Sequence, residues 1–372
     1  MPSARLPEWF LCVDAGGTAV KCVIRSSTGL TSSALGGPCN VKSVGPRQAM
    51  RTILRATQDA LSRLPLLDFP FNPDSVDDEP PPLPARFFSR VWLGLAGVLY
   101  PSDVTEFAPL ARDAFGFEEG EDALKITNDG HLLAAPCLTM PHLDSTIATV
   151  AGTGSCNLAF RRHGSELDFI GQSGGWGFLL GDEGSAFAVS RIAMTRLLSD
   201  YDSRTTAALR NPHASPSAPL SLFSDLLHHF DVPDAATLID KTYRDHSDGV
   251  GGFLAGESNR KLWIARGARV VFRYAFEEVD AKDGASREIA LAIVREAVAP
   301  LVSSILQLVV DRGVVNPSRA LLSLGGGMWK AEGYRNLLLC GLKERGVEFA
   351  EVKVVESAAE EGAKALCAQA QN

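Results

Sequence analysis

Three glycine-rich bends and three polar positions are the parts of this 372-residue chain whose residue types and spacing could do chemistry. The first bend is Asp14-Ala15-Gly16-Gly17-Thr18, between the apolar runs FLCV and AVKCVI. Bare glycine backbone can come close to an anion and offer its N–H groups, and the threonine hydroxyl adds a donor. A carboxylate is wrong beside naked phosphate but suits Mg²⁺ lying between them, often through water. A tight hairpin, in which Asp and Gly supply only turn geometry, explains the same five residues. The bend fits neither G-x-G-x-x-G nor G-x-x-x-x-G-K-[ST], so Rossmann and Walker readings have no support. The second bend, Gly152-Thr153-Gly154-Ser155, repeats the pairing of glycine with hydroxyl and is again open to a plain hairpin turn. The third, Gly325-Gly326-Gly327 after ALLSL, suits either a flat ligand against bare backbone or a simple helix entry.

Asp129, in ITNDGH, closes a short apolar run, where α/β proteins collect their chemistry. A carboxylate there can take the proton of a substrate hydroxyl as it attacks phosphorus. Spacing alone favours the plainer reading, an N-cap for a helix starting at His131. The block GGWGFLLGDEGSAFAVS, residues 174–190, sets an aromatic ring and two acids among glycines. Trp176 offers a face for a sugar ring and Asp182 can accept hydrogen bonds from sugar hydroxyls, although Asp182 or Glu183 could simply cap a helix from Ser185. Asn40, after GGPC, is another polar group set in a turn. His131, His142, His163, His228 and His229 show no metal-ligand spacing with cysteine or with one another.

Elements must hold these positions. Residues 9–25 read as a hairpin of strands that turns at Gly29 into a further extended piece, 30–35, followed by a helix over 46–64. Short buried strands are expected at 90–95 and 124–127, the latter leading into a helix, HLLAAPCL. From Ser145 the layout of strand, small-residue turn and returning strand recurs, so each copy would open one α/β domain. Residues 185–200 read as helix and the Ser/Pro/Ala-rich 203–220 as loop. A long apolar-periodic helix over 286–312, a strand ALLSL, a helix from about 334 to 344, a strand VKVV and a last helix complete the chain.

The length favours two domains, since single cores stop growing at roughly 250–300 residues. The segment 65–85, PLLDFPFNPDSVDDEPPPLPA, is too rich in prolines and acids to pack a core and is expected to be an exposed insertion. Formal charge is 36 − 44 = −8, which argues against a nucleic-acid or anionic-membrane surface carried by bulk charge. An anionic ligand must therefore be held by backbone N–H groups, a few cations or a metal. The seven cysteines show no CxxC spacing and nothing resembles a signal peptide, so reduced, mostly buried thiols in the cytoplasm are expected. No apolar stretch is expected to approach the roughly 20 residues of a membrane span.

Taken together, DAGGT, LGLAG, ITND, AGTGS, GGWGFLLGDEGSA, LGGG and the closing EEGAKAL resemble the N-acetylglucosamine kinase family, in the BadF/BadG-type ATPase branch of the actin-like ATPase and sugar kinase superfamily. The motifs follow that family's order across nearly the whole chain. The resemblance implies an α/β fold of two ribonuclease-H-like domains closing a cleft around Mg·ATP and an amino sugar. Residues 1–129 plus 357–372 would form one domain and 130–356 the other. Asp14 would help hold Mg²⁺, Gly16, Gly17, Thr18 and Gly152 to Ser155 would contact the phosphates, and Gly325 to Gly327 would lie under the adenosine. Asp129 would be the general base for the sugar's 6-hydroxyl, with Asn40, Gly175, Trp176 and Asp182 holding the sugar. The stretch LGLAGVLYPSD is shorter than the Ser/Gly loop of vertebrate-like members, and the 241–263 region has no clear counterpart. Iron–sulfur activators that share the core use cysteine ligands, a pattern that Cys137 and Cys156 do not form. A kinase for glucosamine, glucose or N-acetylmannosamine, and a nucleotide-dependent regulator without turnover, are the competing readings. A homodimer is compatible with either.

Overall fold

In the computed structural model the described residues are 7–64, 83, 86–213, 218–244, 252–277, 283–311 and 313–371. The segment expected to be an exposed insertion, 65–85, lies outside them except for Leu83, which packs into the first core.

Two five-stranded sheets organise the chain. The first contains β1 (Trp9–Ala15), β2 (Val20–Ser26), β3 (Thr31–Gly36), β4 (Arg90–Leu95) and β5 (Leu124–Thr127), in the order β3-β2-β1-β4-β5. The second contains β6 (Ser145–Ala151), β7 (Ser155–His163), β8 (Glu166–Gly174), β9 (Ala320–Gly325) and β10 (Glu351–Val355), in the order β10-β9-β6-β7-β8. Read from the third strand of each hairpin outward, the orders are the same. The duplication seen in the sequence is therefore a duplication of topology. β1 and β6 even share a burial pattern, with six of seven residues buried in each, as expected for strands covered on both faces.

In the first sheet β1 pairs antiparallel with β2 and parallel with β4, and β4 pairs parallel with β5. Alternate side chains point to opposite faces, and two cysteines show which helix covers which. Cys22 reaches the Ile53 carbonyl on helix Pro46–Ser62. Cys12, one register step away on the other face, lies against Gly362 on helix Ala358–Gln371. The C-terminal helix thus packs on the N-terminal strands. By contacts the chain divides into one unit of residues 1–148, 160–169 and 355–372 and a second of 149–159 and 170–354.

The parallel register places Asp14 beside Gly94 and Gly94 beside Thr127. A Cβ at Gly94 would stand 2.5 Å from Leu132 Cδ1 and 3.3 Å from the Asp129 Cα, so only glycine lets the segment after β5 fold back across β4. That segment, Asp129–Thr139, is a 3₁₀ helix.

Several elements differ from expectation. β8 was not anticipated; its nine residues are mostly exposed or half-buried and show no clean apolar alternation. Residues 203–210, expected as loop, continue helix Ala186–Arg210, which carries an Arg204–Asp200 pair one turn apart and stops only before Asn211-Pro212. Helix Gly284–Val310 is long and apolar enough to cross a membrane, with a mean hydropathy of 1.9, against the expectation that no stretch would be. Ile293, Val294, Ala297, Leu301 and Ile305 of this helix are buried, and its Glu296 pairs with Arg196. Among the described residues all seven cysteines are free, and five of them are buried.

Gly94→Ala is expected to cost about 1–3 kcal/mol through overpacking against Leu132, read as a lower urea midpoint with little change in slope.

Candidate functional site

The first unit gathers its polar residues at the carboxyl ends of β1, β4 and β5, where open α/β sheets place ligands. The Gly16 N–H donates to the Ala19 carbonyl at 2.9 Å, which closes the bend, and the Gly16 carbonyl accepts from the Cys39 N–H at 3.1 Å. That bond ties the exit of β3 to the bend. Two residues on, the Val41 N–H donates to the Ala96 carbonyl at 2.9 Å. Asn40 is thereby fixed between the two strand ends, and its Oδ1 accepts from the Lys42 and Ser43 N–H groups as the cap of helix Val41–Val44.

Asp129 is not the helix cap that its spacing suggested. Asn128 takes that role: its Oδ1 accepts from the Gly130 N–H at 3.0 Å, and its Nδ2 donates to the Val98 carbonyl at 3.1 Å. The Asp129 carboxylate accepts from the Gly130 N–H at 3.0 Å and from its own N–H, which still leaves lone pairs free. Burial raises its pKa above the ordinary carboxylate value. Asp14 is pushed up to about 6, first by burial and then by the charge of Asp129, with Lys21 pulling the other way. These two acids therefore sense one another. Lys21 is also held by Glu360 at 2.9 Å. His131, two residues from Asp129, packs edge-on against Phe160, and burial pushes it down to about 4. It is uncharged at neutral pH and offers no cation to the pair.

This excess of half-buried negative charge suits a divalent cation. No group of three or more His, Cys, Asp or Glu among the described residues could hold a metal by itself. One or two carboxylates fit Mg²⁺ that keeps several waters and arrives with a phosphate ligand.

The second unit builds its site around the bend from β6 to β7. The Gly152 N–H donates to the Gly154 carbonyl at 2.9 Å, and the Gly152 carbonyl accepts from the Ala186 N–H at 2.8 Å at the start of helix Ala186–Arg210. That helix is capped by Ser185, whose hydroxyl accepts from the Ala188 N–H, so neither Asp182 nor Glu183 is spent as a cap. Asp182 is buried, with φ +58°, and its carboxylate accepts from the Ser155 N–H at 3.3 Å and from Lys261 Nζ at 2.8 Å. The Ser155 hydroxyl donates to the Glu183 carbonyl at 2.6 Å. The glycine block 174–184 and the 152–155 bend are thus one hydrogen-bonded body. Trp176 is two-thirds exposed and lies against Gly181.

The triple glycine joins this body. Gly326 has φ +104°, and a Cβ there would stand 2.4 Å from the Ala151 carbonyl oxygen. Its bareness lets β9 abut the first bend of the unit, while Gly327 begins a short 3₁₀ turn, Gly327–Lys330. Trp329 Nε1 donates to the Thr149 carbonyl at 3.1 Å, and the Tyr334 hydroxyl donates to the Gly184 carbonyl at 2.6 Å.

Two of the cavities that open on this body flank the 152–155 bend. One, of about 670 Å³, is lined by Gly152, Thr153 and Gly327 together with Arg266, Arg269 and Lys330. The other, of about 610 Å³, is lined by Ser155, Cys156, Asn157, Trp176 and Asp182 and by one side of helix Gly284–Leu306. Sequence reasoning missed Lys261, Arg266, Arg269 and Lys330, which are scattered lysines and arginines with no motif around them. It also assigned Asn40 and Asp182 to sugar without the cap and the ion pair that now occupy part of each side chain.

Two α/β units of the same strand order, each with a glycine bend at its sheet edge, define the class of protein: the ribonuclease-H-like fold of actin-like ATPases and sugar kinases. The chain belongs to the BadF/BadG/BcrA/BcrD ATPase family, whose profile matches residues 11–366. It is 27% identical over 203 residues to an N-acetyl-D-glucosamine kinase of Dictyostelium discoideum, a match spanning 52% of this chain and 56% of that protein. Among solved structures it resembles a candidate N-acetylglucosamine kinase from Porphyromonas gingivalis at a TM-score of 0.61 and 18% identity, covering 96% of this chain and 99% of that one. A second candidate N-acetylglucosamine kinase, from Chromobacterium violaceum, aligns at 0.56 and 20% identity over 96% of this chain and 99% of that one. At these identities the two structures speak for the fold alone.

Because the pKa of Asp14 is raised, its contribution favours the folded state only below the ordinary carboxylate value near 3.8 and is lost as pH rises to about 6. Asp14→Asn removes that loss. The variant is expected to gain up to roughly 3 kcal/mol over the parent at pH 7 and little at pH 4, read as the difference in thermal midpoint at the two pH values.

Proposed function

We propose that this protein is an ATP-dependent kinase that phosphorylates the 6-hydroxyl of N-acetylglucosamine or a close amino sugar. The observation that carries the reading is Asp129: a half-buried carboxylate just after a strand end, relieved of capping by Asn128, whose pKa is raised by desolvation. Such a group can accept a hydroxyl proton, and a raised pKa makes it a better base at neutral pH than an ordinary aspartate. Family membership and the Dictyostelium relative support ATP as donor and an amino sugar as acceptor.

In this reading the sugar 6-oxygen attacks the γ-phosphorus in line while its proton passes to an Asp129 carboxylate oxygen, and ADP leaves. The backbone N–H groups of Gly16 to Thr18 and of Gly152 to Ser155 donate to the phosphate oxygens. Arg266, Arg269 and Lys330 line the cavity next to Thr153 and Gly327, which supports nucleotide binding there. With ATP comes Mg²⁺, which neutralises phosphate charge, and Asp14 would hold it. Trp176, Gly175, Asp182 and Asn40 hold the sugar. Asp182 can do so while paired, since an ionised carboxylate has about four acceptor sites and two are in use. Positioning and charge neutralisation, rather than a covalent intermediate, lower the barrier. The seven free thiols suit a reducing compartment such as the cytoplasm.

Asp129→Asn keeps size and polarity but cannot take the proton. It is expected to lower sugar-dependent ADP release about 10²–10⁴-fold while ATP affinity, measured by calorimetry, stays near that of the parent. Near-normal turnover in this variant rules Asp129 out as the base. ATP hydrolysis that no sugar in a panel of acetylated and free hexosamines and hexoses stimulates would instead favour a nucleotide-dependent regulator.

A further inference from the structure

Arg51 and Arg55 stand one turn apart on helix Pro46–Ser62 and line a cavity of about 490 Å³ in the first unit, apart from the glycine bends and the strand-end acids. The end of β3 and the turn after it, Gly36-Gly37-Pro38, supply another part of the wall, and Val44 a further part. Gly36 lets the strand sit close to the helix, since a Cβ there would stand 2.7 Å from Val20 Cγ1 and 3.4 Å from Ala56 Cβ. Gly37 is different. A Cβ there would meet nothing within 4 Å, and its N–H donates to no acceptor among the described residues.

Like charges four residues apart on a helix repel each other. Arg55 is half-buried and makes no hydrogen bond or ion pair among the described residues. Asp59, one turn further on, also lines the cavity and would be its natural partner. Both oxygens of Asp59 are taken by Arg63 instead, at 3.1 and 2.7 Å, and Arg63 is anchored in turn to the Ser33 carbonyl at 2.9 Å. Asp59 is the one acid in the described lining, so two guanidinium groups outweigh a carboxylate that is already neutralised. In a chain of net charge −8 this is a local reversal of sign. The guanidinium fork matches phosphate and carboxylate alike. Two forks and an open backbone N–H are met better by the three oxygens of a phosphate dianion than by the two of a carboxylate.

We propose that this cavity is a second ligand site, which takes a phosphate dianion, free or carried on a small ester. Bound there, the dianion joins Arg51 and Arg55 to the Gly37 N–H and clamps the turn to the helix. Three residues after Gly37 comes Asn40, in a segment pinned by the Cys39 N–H on the Gly16 carbonyl and by the Val41 N–H on the Ala96 carbonyl. The clamp stiffens that segment. A consequence for the sugar, a lower KM through a better-ordered Asn40, rests on the kinase reading; the site itself does not.

Calorimetry with inorganic phosphate and with glucose 6-phosphate, on the parent, Arg55→Gln and Arg266→Gln, tests the site. Arg55→Gln is expected to weaken binding about ten- to a hundred-fold, and Arg266→Gln to leave it in place. Tighter binding of glucose 6-phosphate identifies an ester as the occupant and tighter binding of phosphate the free ion, and either order supports the site. Binding that Arg55→Gln spares and Arg266→Gln abolishes belongs to the basic cavity of the second unit and overturns the proposal, as does no binding at all. Hydrogen exchange reads the clamp: with phosphate at ten times its Kd, the amides of residues 39–44 are expected to exchange about ten-fold more slowly in the parent and at an unchanged rate in Arg55→Gln. Equal exchange with and without phosphate in the parent overturns the clamp. Neither measurement needs turnover, so a protein inert towards every sugar would overturn the kinase reading and leave this site standing.

Discussion

Two half-buried carboxylates set at neighbouring strand ends, with the charge of Asp129 helping to raise the pKa of Asp14, are the constraint around which the first unit is built. Asp14 ends β1 and Asp129 follows β5, and only β4 separates the strands. Gly94 is the residue of β4 that lies between them, and its missing side chain lets the chain after β5 come back over the sheet. Burying like charges side by side opposes folding. A sheet edge designed only for stability would replace one of them. The duplicated sheet does so: β6 ends Val150-Ala151 where β1 ends Asp14-Ala15. The same topology therefore occurs once with charge at the strand end and once without it. Repulsion within the charged copy is relieved when a cation is present, and a fold that keeps such repulsion is suited to a ligand that brings one.

The second unit differs, in that two cavities of unlike charge flank one bend. Gly152 and Thr153 face a cavity with three basic residues, whereas Ser155, a step further along, faces a cavity with none among its described lining. Charge, not size, separates the cavities, since their volumes of about 670 and 610 Å³ are similar. A polyanion would be attracted to the first by its three basic residues. A neutral, donor-rich ligand would meet acceptors and an aromatic face in the second.

How much of this was legible in the sequence depended on whether the signal was local. Strand ends and glycine bends were, because an apolar run that stops at small residues leaves few alternatives: β4 and β5 stand at the expected residues, and the three bends all lie at strand ends. β8 was not, because it is a half-exposed strand whose sequence, ELDFIGQSG, lacks an apolar face. Asp129 was misjudged by one residue for a physical reason: in Asn128-Asp129 either side chain can cap, and the choice falls to Asn128 because its amide can also donate to the Val98 carbonyl, which a carboxylate cannot do. The cations of the second unit were illegible for a different cause. Lys261, Arg266, Arg269 and Lys330 reach their cavity and ion pair from two separate segments, and no spacing rule connects them with residues 152–155. Helix Gly284–Leu306 was read correctly as apolar and periodic, but its length as a possible span was overlooked because Arg295 and Glu296 interrupt the run.

The block GGWGFLLGDEGSA is specific in sequence because four demands meet within it. Asp182 must adopt a left-handed backbone, at φ +58°, for its carboxylate to reach the Ser155 N–H. A non-glycine residue in that region is strained, and aspartate is among the few side chains that tolerate it. Burial then requires a countercharge, which Lys261 supplies from helix Gly252–Ala265. Trp176 must stay exposed to offer its face, yet be held in place, and it is held by contact with the backbone at Gly181. Finally the Gly184 carbonyl must meet the Tyr334 hydroxyl, so the loop is fastened to the helix that follows β9. Loosening any one of these contacts would move the others, because the acid, the ring and the bend are parts of a single hydrogen-bonded body. Exposed as a loop but braced like a core, the block can hold a ligand without first having to be ordered by it, and that lowers the entropic cost of binding.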